Sequence, residues 1–211
     1  MFLSTLKPLK KDVSFDPVKD LDPLKNLVWK FFPGQKTRDY LFTLRNNGTT
    51  EILVQSPTKP FATNGNWAVE SQPYNPTFEK GQKINFWVRV NAARRNANGK
   101  RVGVQSEYIQ KLIDFHIPQD QWPTGEQILK RSIGGWFNEI GRYQGFELTA
   151  ADISDPLVTM FRDHRGNGKP VYLHEVTGTL KVTDPKKFKA LTEAGVGKMR
   201  GFGLGMLVLE D

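Results

Sequence analysis

The order of strand and helix patterns along this 211-residue chain predicts an α+β fold: two ferredoxin-like sandwiches in tandem. Three observations lead there. Residues 1–95 read strand, helix, strand, strand, long loop, strand. The remainder repeats the theme, with additional helices between its strands. With 38% hydrophobic, 25% charged and 11% aromatic residues, there is enough apolar side chain for a core in each half. At roughly 150 residues per domain the length suits one large domain or two small ones. We place the boundary near residues 96–106, giving domains 1–100 and 101–211.

The opening MFLSTLKPL alternates apolar and polar residues, as a half-buried strand does. In DPVKDLDPLKNLVWKFFPG, Leu24, Leu27, Val28 and Phe31 fall at i, i+3, i+4 and i+7, one face of a helix. Asp22-Pro23 supplies a start and Pro33-Gly34 a stop. RDYLFTLRNNG and TEILVQS are β-rich runs joined by Asn-Asn-Gly, a hairpin signal. Residues 57–82, rich in Pro, Asn and Gly, read as a loop. KINFWVRVNA then reads as a strand with Ile84, Phe86, Val88 and Val90 on one face. If the loop replaces a second helix, this is the topology of an RNA-recognition domain. Further on, EYIQKLIDFH, GEQILKRSIGGWFNEIG and DPKKFKALTEAG read as helices. FELTAADI, LVTMFR, PVYLHEVTGTLKV and FGLGMLVLE read as strands.

Composition narrows the function classes. No apolar run reaches the ~20 residues of a membrane-spanning helix. The N-terminus lacks an apolar stretch followed by a small-residue cleavage site, so a cytoplasmic location is expected. Without cysteine there is no disulfide scaffold and no thiolate metal site. The net charge of +8 is uneven: 17 Lys/Arg against 8 Asp/Glu before residue 106, then 13 against 14. One basic half beside a neutral one suggests a bound polyanion.

The run GVGKMRGFGLGMLVLE places five glycines from the end of the last helix into the last strand. A dinucleotide or Walker loop needs a strand before it and a helix after it, the reverse of this order. Helix termination and close packing account for some of these glycines. Bare N–H groups at Gly197, Gly201 and Gly203, beside Lys198 and Arg200, also form a surface suited to phosphates.

Together, this glycine run and the segment EKGQKINFWVRVNAARRNANGKRVGV resemble the CRISPR repeat-RNA endoribonucleases, most closely the CasE-type subunit of the type I-E Cascade complex. RDYLFTL, LVQSPTKP and TGTLKVTDPKKFKALTEAGVG are similar to other stretches of that family. The similarity covers most of the chain except roughly residues 118–155. It implies two ferredoxin-like domains and no cofactor. It also implies binding to the repeat stem-loop of CRISPR RNA and a metal-free cut just 3′ of the stem. Retention on the product follows, alongside other Cascade subunits including the backbone subunit and away from membranes.

The RNA would be held by the acid-free segment carrying Arg89, Arg94, Arg95, Lys100 and Arg101, since an A-form stem is gripped mainly through phosphates and 2′-hydroxyls. A Gly-Asn-Gly hairpin with Arg162, His164, Arg165 and Lys169 would meet the base of the stem. The five tryptophans read as core, and His116, His164 and His174 lack the spacing of a metal site.

Metal-free cleavage uses the RNA's own 2′-hydroxyl as nucleophile, leaving a 2′,3′-cyclic phosphate and a 5′-hydroxyl. CasE-type enzymes use a first-helix histidine, three positions after Asp-Pro-Tyr. Here the helix reads DPLKNLVWKFFP, and no histidine precedes His116. Three readings stand. Lys25 serves as acid or phosphorane stabiliser. His164 or another group reaches in from the second domain. Or the protein is a catalytically inactive scaffold that binds its hairpin without cutting. An unrelated tandem RNA-recognition protein fits less well, for want of stacking aromatics on its strands.

Overall fold

The computed structural model describes residues 1–10, 13–16, 19, 21–46, 50–61, 65–162 and 168–210. Strand β1 (Phe2–Pro8) leads to helix α1 (Leu21–Trp29), then β2 (Leu41–Asn46), β3 (Thr50–Ser56) and β4 (Trp67–Pro73). The four strands pair in the order β2-β3-β1-β4, all antiparallel. That is a ferredoxin-like sheet, and the described residues between β3 and β4 form no helix. Leu24, Val28 and Phe31 are buried against Leu6, Phe42, Leu44, Ile52 and Val54. Each such side chain taken out of water contributes about 1.5–3 kcal/mol. The helix tightens at its end, where Lys30, Phe31 and Phe32 donate to the carbonyls of Leu27, Val28 and Trp29, and Gly34 then takes a φ of +81°. The expected Asn-Asn-Gly turn at 46–48 falls largely outside the described residues.

β4 lies inside the stretch expected to be a loop. Its alternation is real but faint. Trp67 is buried, but Ser71 faces inward as a polar residue, its hydroxyl 2.8 Å from that of Ser4. Pro and Asn on both flanks hide the remainder.

The next strand, β5 (Lys83–Val90), leaves the first sheet. A short ribbon of β6 (Ala93–Arg95) and β7 (Arg101–Gly103) follows, then α2 (Val104–Asp114) and α3 (Gly125–Leu129). A π turn (Lys130–Gly134) joins α3 to α4 (Gly135–Gln144). β8 (Phe146–Ile153), β9 (Leu157–Arg162), β10 (Gly168–Val182), α5 (Pro185–Ala194) and β11 (Val208–Glu210) complete the chain. The second sheet runs β11-β5-β10-β8, the ferredoxin-like order again, and β9 pairs the first part of β10.

Because β5 pairs with β10 from Lys83 to Val90 and with β11, the strand assigned by sequence to the first domain belongs to the second sheet. We therefore propose a division in the connection 74–82 rather than near residue 100. The last strand is also shorter than expected. Residues Arg200–Phe202 form a 3-10 turn, and Gly203 and Gly205 have positive φ, which a strand cannot use.

Phe86, Phe137, Phe146 and Phe188 build the second core, with Phe86 and Phe137 stacked 5.3 Å apart. Of the five tryptophans expected in the core, Trp67 and Trp136 are buried, while Trp29, Trp87 and Trp122 are partly exposed. The two units meet on the first sheet's other face. There Gln55 Nε2 donates to the Thr192 carbonyl at 3.0 Å, and Arg45 pairs with Glu210 at 3.1 Å.

Arg89, on β5, is 6% exposed. It donates from Nε and Nη2 to Glu175 Oε1 at 3.0 and 2.7 Å, and from Nη1 to the Leu44 carbonyl at 3.4 Å. The Glu175→Ala variant removes the shared acceptor of Nε and Nη2, strands a buried guanidinium and is expected to lose about 2–3 kcal/mol of stability. The loss would be read as a lower urea midpoint at unchanged slope.

His174 is 2% exposed and donates from Nδ1 to the Ser154 carbonyl at 3.2 Å. Burial pushes its pKa below the ordinary 6.5, against the opposing pull of that bond and of Asp155. The unfolded chain takes up this proton first. Stability is therefore full above about pH 6.5 and declines on acidification below it. Thermal melts between pH 7.5 and 5.5 are expected to show a fall in Tm that His174→Gln reduces.

Candidate nucleic-acid interface

The glycine-rich bend is fastened to both units. α5 ends where the Gly195 N–H donates to the Leu191 carbonyl at 2.7 Å. Val196 N–H donates to the Gly205 carbonyl at 2.7 Å, and Gly205 N–H donates to the Arg89 carbonyl at 2.8 Å. Gly205 has a φ of +77°, and a Cβ there would lie 2.1 Å from the Val196 oxygen. A Cβ on Gly203 would fall 2.8 Å from the ring of Phe42, and one on Gly197 would fall 3.3 Å from Trp136. Gly201 differs: a Cβ there would meet no described atom within 4 Å. So Gly197 and Gly203, expected to open the backbone to phosphate, make room for the protein's own rings. Gly201 alone of the five opens outward. Lys198 and Arg200 are exposed beside it, and Arg200 Nη1 donates to the Ala194 carbonyl.

Helix α1 reaches this bend with its first turn. Lys25 Nζ lies 2.5 Å from Asp22 Oδ1 and 4.4 Å from the centre of the Phe202 ring. Asp22, expected as the helix cap, sits inside the first turn and orients the lysine. Phe202 in turn meets Phe161 of β9 edge-on at 5.2 Å. Beneath them Leu21, Leu173 and Leu204 are buried together. First helix, glycine bend and β9–β10 ribbon thus converge on one spot, with Lys25 18% exposed at its centre. Sequence reasoning missed Phe202 and Phe161. The one available signal was an aromatic set among glycines.

The basic segment divides. Arg89, expected to hold RNA, is consumed by Glu175 and the Leu44 carbonyl, and burial removes it from any ligand. Arg94 is forked onto Glu107 at 2.7 and 3.0 Å and reaches Glu139 at 3.1 Å. Its neighbours hold the Glu107 carboxyl below the usual range: first the hydrogen bond from Arg94, then that residue's charge and Lys111. Arg95, Lys100 and Arg101 are exposed on the ribbon. A bridge between Asn91 and Lys198, and a bond from Asn91 Nδ2 to the Tyr172 carbonyl at 3.0 Å, join the ribbon's root to the bend and to β10. His164, Arg165 and the side chains of Arg162 and Lys169 lie outside the described residues. His116 is exposed at the end of α2, with a φ of +54°.

Two ferredoxin-like units joined through such a bend, with exposed Lys198 and Arg200 on it, define a tandem ferredoxin-like class. Within that class the chain belongs to the CRISPR associated protein family, whose model matches residues 1–210. It is 26% identical over 170 residues to the CRISPR-associated endoribonuclease Cse3 of Thermus thermophilus, covering 74% of this chain and 71% of that one. Its fold is similar to that of CRISPR endoribonuclease Cse3 bound to 19-nt RNA (TM-score 0.73, 22% identity, all of both chains). It is also similar to Cas6e from Escherichia coli K-12 (TM-score 0.61, 19% identity, 99% and 98% of the chains). The resemblance to CasE-type proteins therefore holds.

The contrast between glycines can be measured. Gly205→Ala, strained in φ and clashing with backbone, is expected to cost about 2 kcal/mol or more. Gly201→Ala is expected to leave the melting temperature unchanged or raise it slightly, by up to about 1 kcal/mol of stabilisation.

Proposed function

We propose that this chain binds the stem-loop of a CRISPR repeat transcript and cuts at the 3′ base of its stem without metal, then stays on the product. The convergence of Lys25, the glycine bend and the β9–β10 ribbon on one spot supports this most. In this reading Arg95, Lys100 and Arg101 of the β6–β7 ribbon, with Lys198 and Arg200, contact phosphates. The Gly201 backbone lets the strand approach. Arg162, His164, Arg165 and Lys169 are proposed, from their place in the sequence, to meet the base of the stem. Other Cascade-type subunits, the backbone subunit among them, are the expected protein partners, in the cytoplasm.

The chemistry is an in-line displacement. The 2′-hydroxyl passes its proton to solvent water and attacks the adjacent phosphorus. The bond from phosphorus to the 5′-oxygen then breaks, and that oxygen takes a proton. The Lys25 ammonium, steadied by Asp22 and the Phe202 face, is positioned to hold charge on the phosphorane and to supply the leaving-group proton. The second reading is a catalytically inactive hairpin-binding scaffold. It is favoured by the Asp22 contact, which occupies Lys25, and by the lack of histidine in residues 1–115.

Incubation with a repeat RNA in EDTA separates them. The enzyme yields a 2′,3′-cyclic phosphate at the stem's 3′ edge, and Lys25→Ala is expected to slow this by about 100-fold or more with binding retained. Tight binding of RNA that stays intact supports the scaffold. Unchanged cleavage by Lys25→Ala removes Lys25 from the mechanism.

A further inference from the structure

Helix α4 lies in the region, residues 118–155, for which the family resemblance supplies no role. In the structure it touches two RNA-facing elements at once. Glu139 accepts from Arg94 Nη1 at 3.1 Å and so holds the β6–β7 ribbon. Trp136, one turn earlier, stands against Gly197 of the bend. α2 adds Glu107, which takes the other two edges of the Arg94 guanidinium and is itself approached by Lys111 at 3.6 Å. Nε, Nη1 and Nη2 of Arg94 are therefore all engaged by carboxylates.

We propose that Arg94 is the latch of the basic ribbon rather than a phosphate contact, and that Glu107 and Glu139 are positioning residues for RNA binding. They fix the ribbon on α2 and α4, so that Arg95, Lys100 and Arg101 are presented at a set distance from Lys198 and Arg200. This rests on the RNA-binding reading above. It also assigns a purpose to acids placed beside a cationic surface, where through-space electrostatics alone would disfavour them. The raised pKa of Arg94, caused first by its hydrogen bond to Glu107, agrees with a committed ion pair.

The two roles predict opposite signs. If Arg94 met phosphate, removing Glu107's charge would free it and tighten RNA binding. If Glu107 positions the ribbon, Glu107→Gln weakens binding although the protein gains positive charge. The test measures binding of a labelled repeat-type RNA stem-loop, and of an unstructured RNA of equal length, from 50 to 300 mM salt. The expected result is about tenfold weaker stem-loop binding by Glu107→Gln. The slope of log K against log salt should shrink by about 0.7–0.9 for each phosphate that the ribbon no longer reaches. Glu107→Asp is expected to recover part of the affinity. Glu139→Gln, at a more exposed carboxylate, shows the same direction at smaller size and keeps the test open if Glu107→Gln misfolds. Unchanged or tighter stem-loop binding in a variant that melts like the wild type overturns the proposal and leaves the RNA-binding reading standing. A wild-type protein that does not prefer the stem-loop overturns both.

Discussion

The guanidinium of Arg89 reaches from β5 to Glu175 on β10 and to the Leu44 carbonyl on β2, while its own carbonyl receives the N–H of Gly205. One buried residue thus joins the second sheet, the first sheet and the glycine bend. The bend can present Lys198 and Arg200 at a fixed place because its far end is hydrogen-bonded to β5 and its near side is bridged to Asn91. A charge this deep is costly to bury alone and is tolerated because each of its three nitrogens has an acceptor. The arrangement below the surface sets the arrangement on it.

Much of this organisation was legible in the sequence, and the failures share a cause. α1 was readable because Leu24, Leu27, Val28 and Phe31 repeat at helical spacing. α5 was readable because Asp184 and Pro185 announce its start, and Asp184 indeed accepts the Lys186 and Lys187 N–H groups at 3.1 Å. The tandem architecture followed from element order. What could not be read was partnership across long separations. Arg89 and Arg94 look alike as letters in a basic run. One is neutralised by a glutamate 86 residues later, the other by glutamates 13 and 45 residues later. Local spacing carries no trace of those pairings. The same holds for β5, whose alternation identifies a strand but not the sheet it joins.

The glycine run shows how one composition serves two ends. Four of its five glycines are explained by what the protein packs against them: a carbonyl at Gly195 and at Gly205, an aromatic ring at Gly197 and at Gly203. Gly201 has no such internal reason. It leaves a small outward opening flanked by Lys198 and Arg200, next to the phenylalanine that carries Lys25. The basic character of the N-terminal half is likewise thinned, since its inner arginines are spent on carboxylates and its outer ones remain available.

β10 runs for 15 residues and changes partners along its length, pairing β9 from Gly168 to Leu173 and the central sheet from His174 onward. At about 3.4 Å per residue, its first six residues project roughly 20 Å beyond the sheet. The ribbon is therefore an arm continuous with a strand clamped between β5 and β8 and braced at its root, where Leu173 is buried with Leu21 and Leu204 and Asn91 holds the Tyr172 carbonyl. A load on the arm is shared between that brace and the clamp, where Glu175 accepts from Arg89. Whatever docks on that arm acts with leverage on the joint that unites the two halves of the molecule.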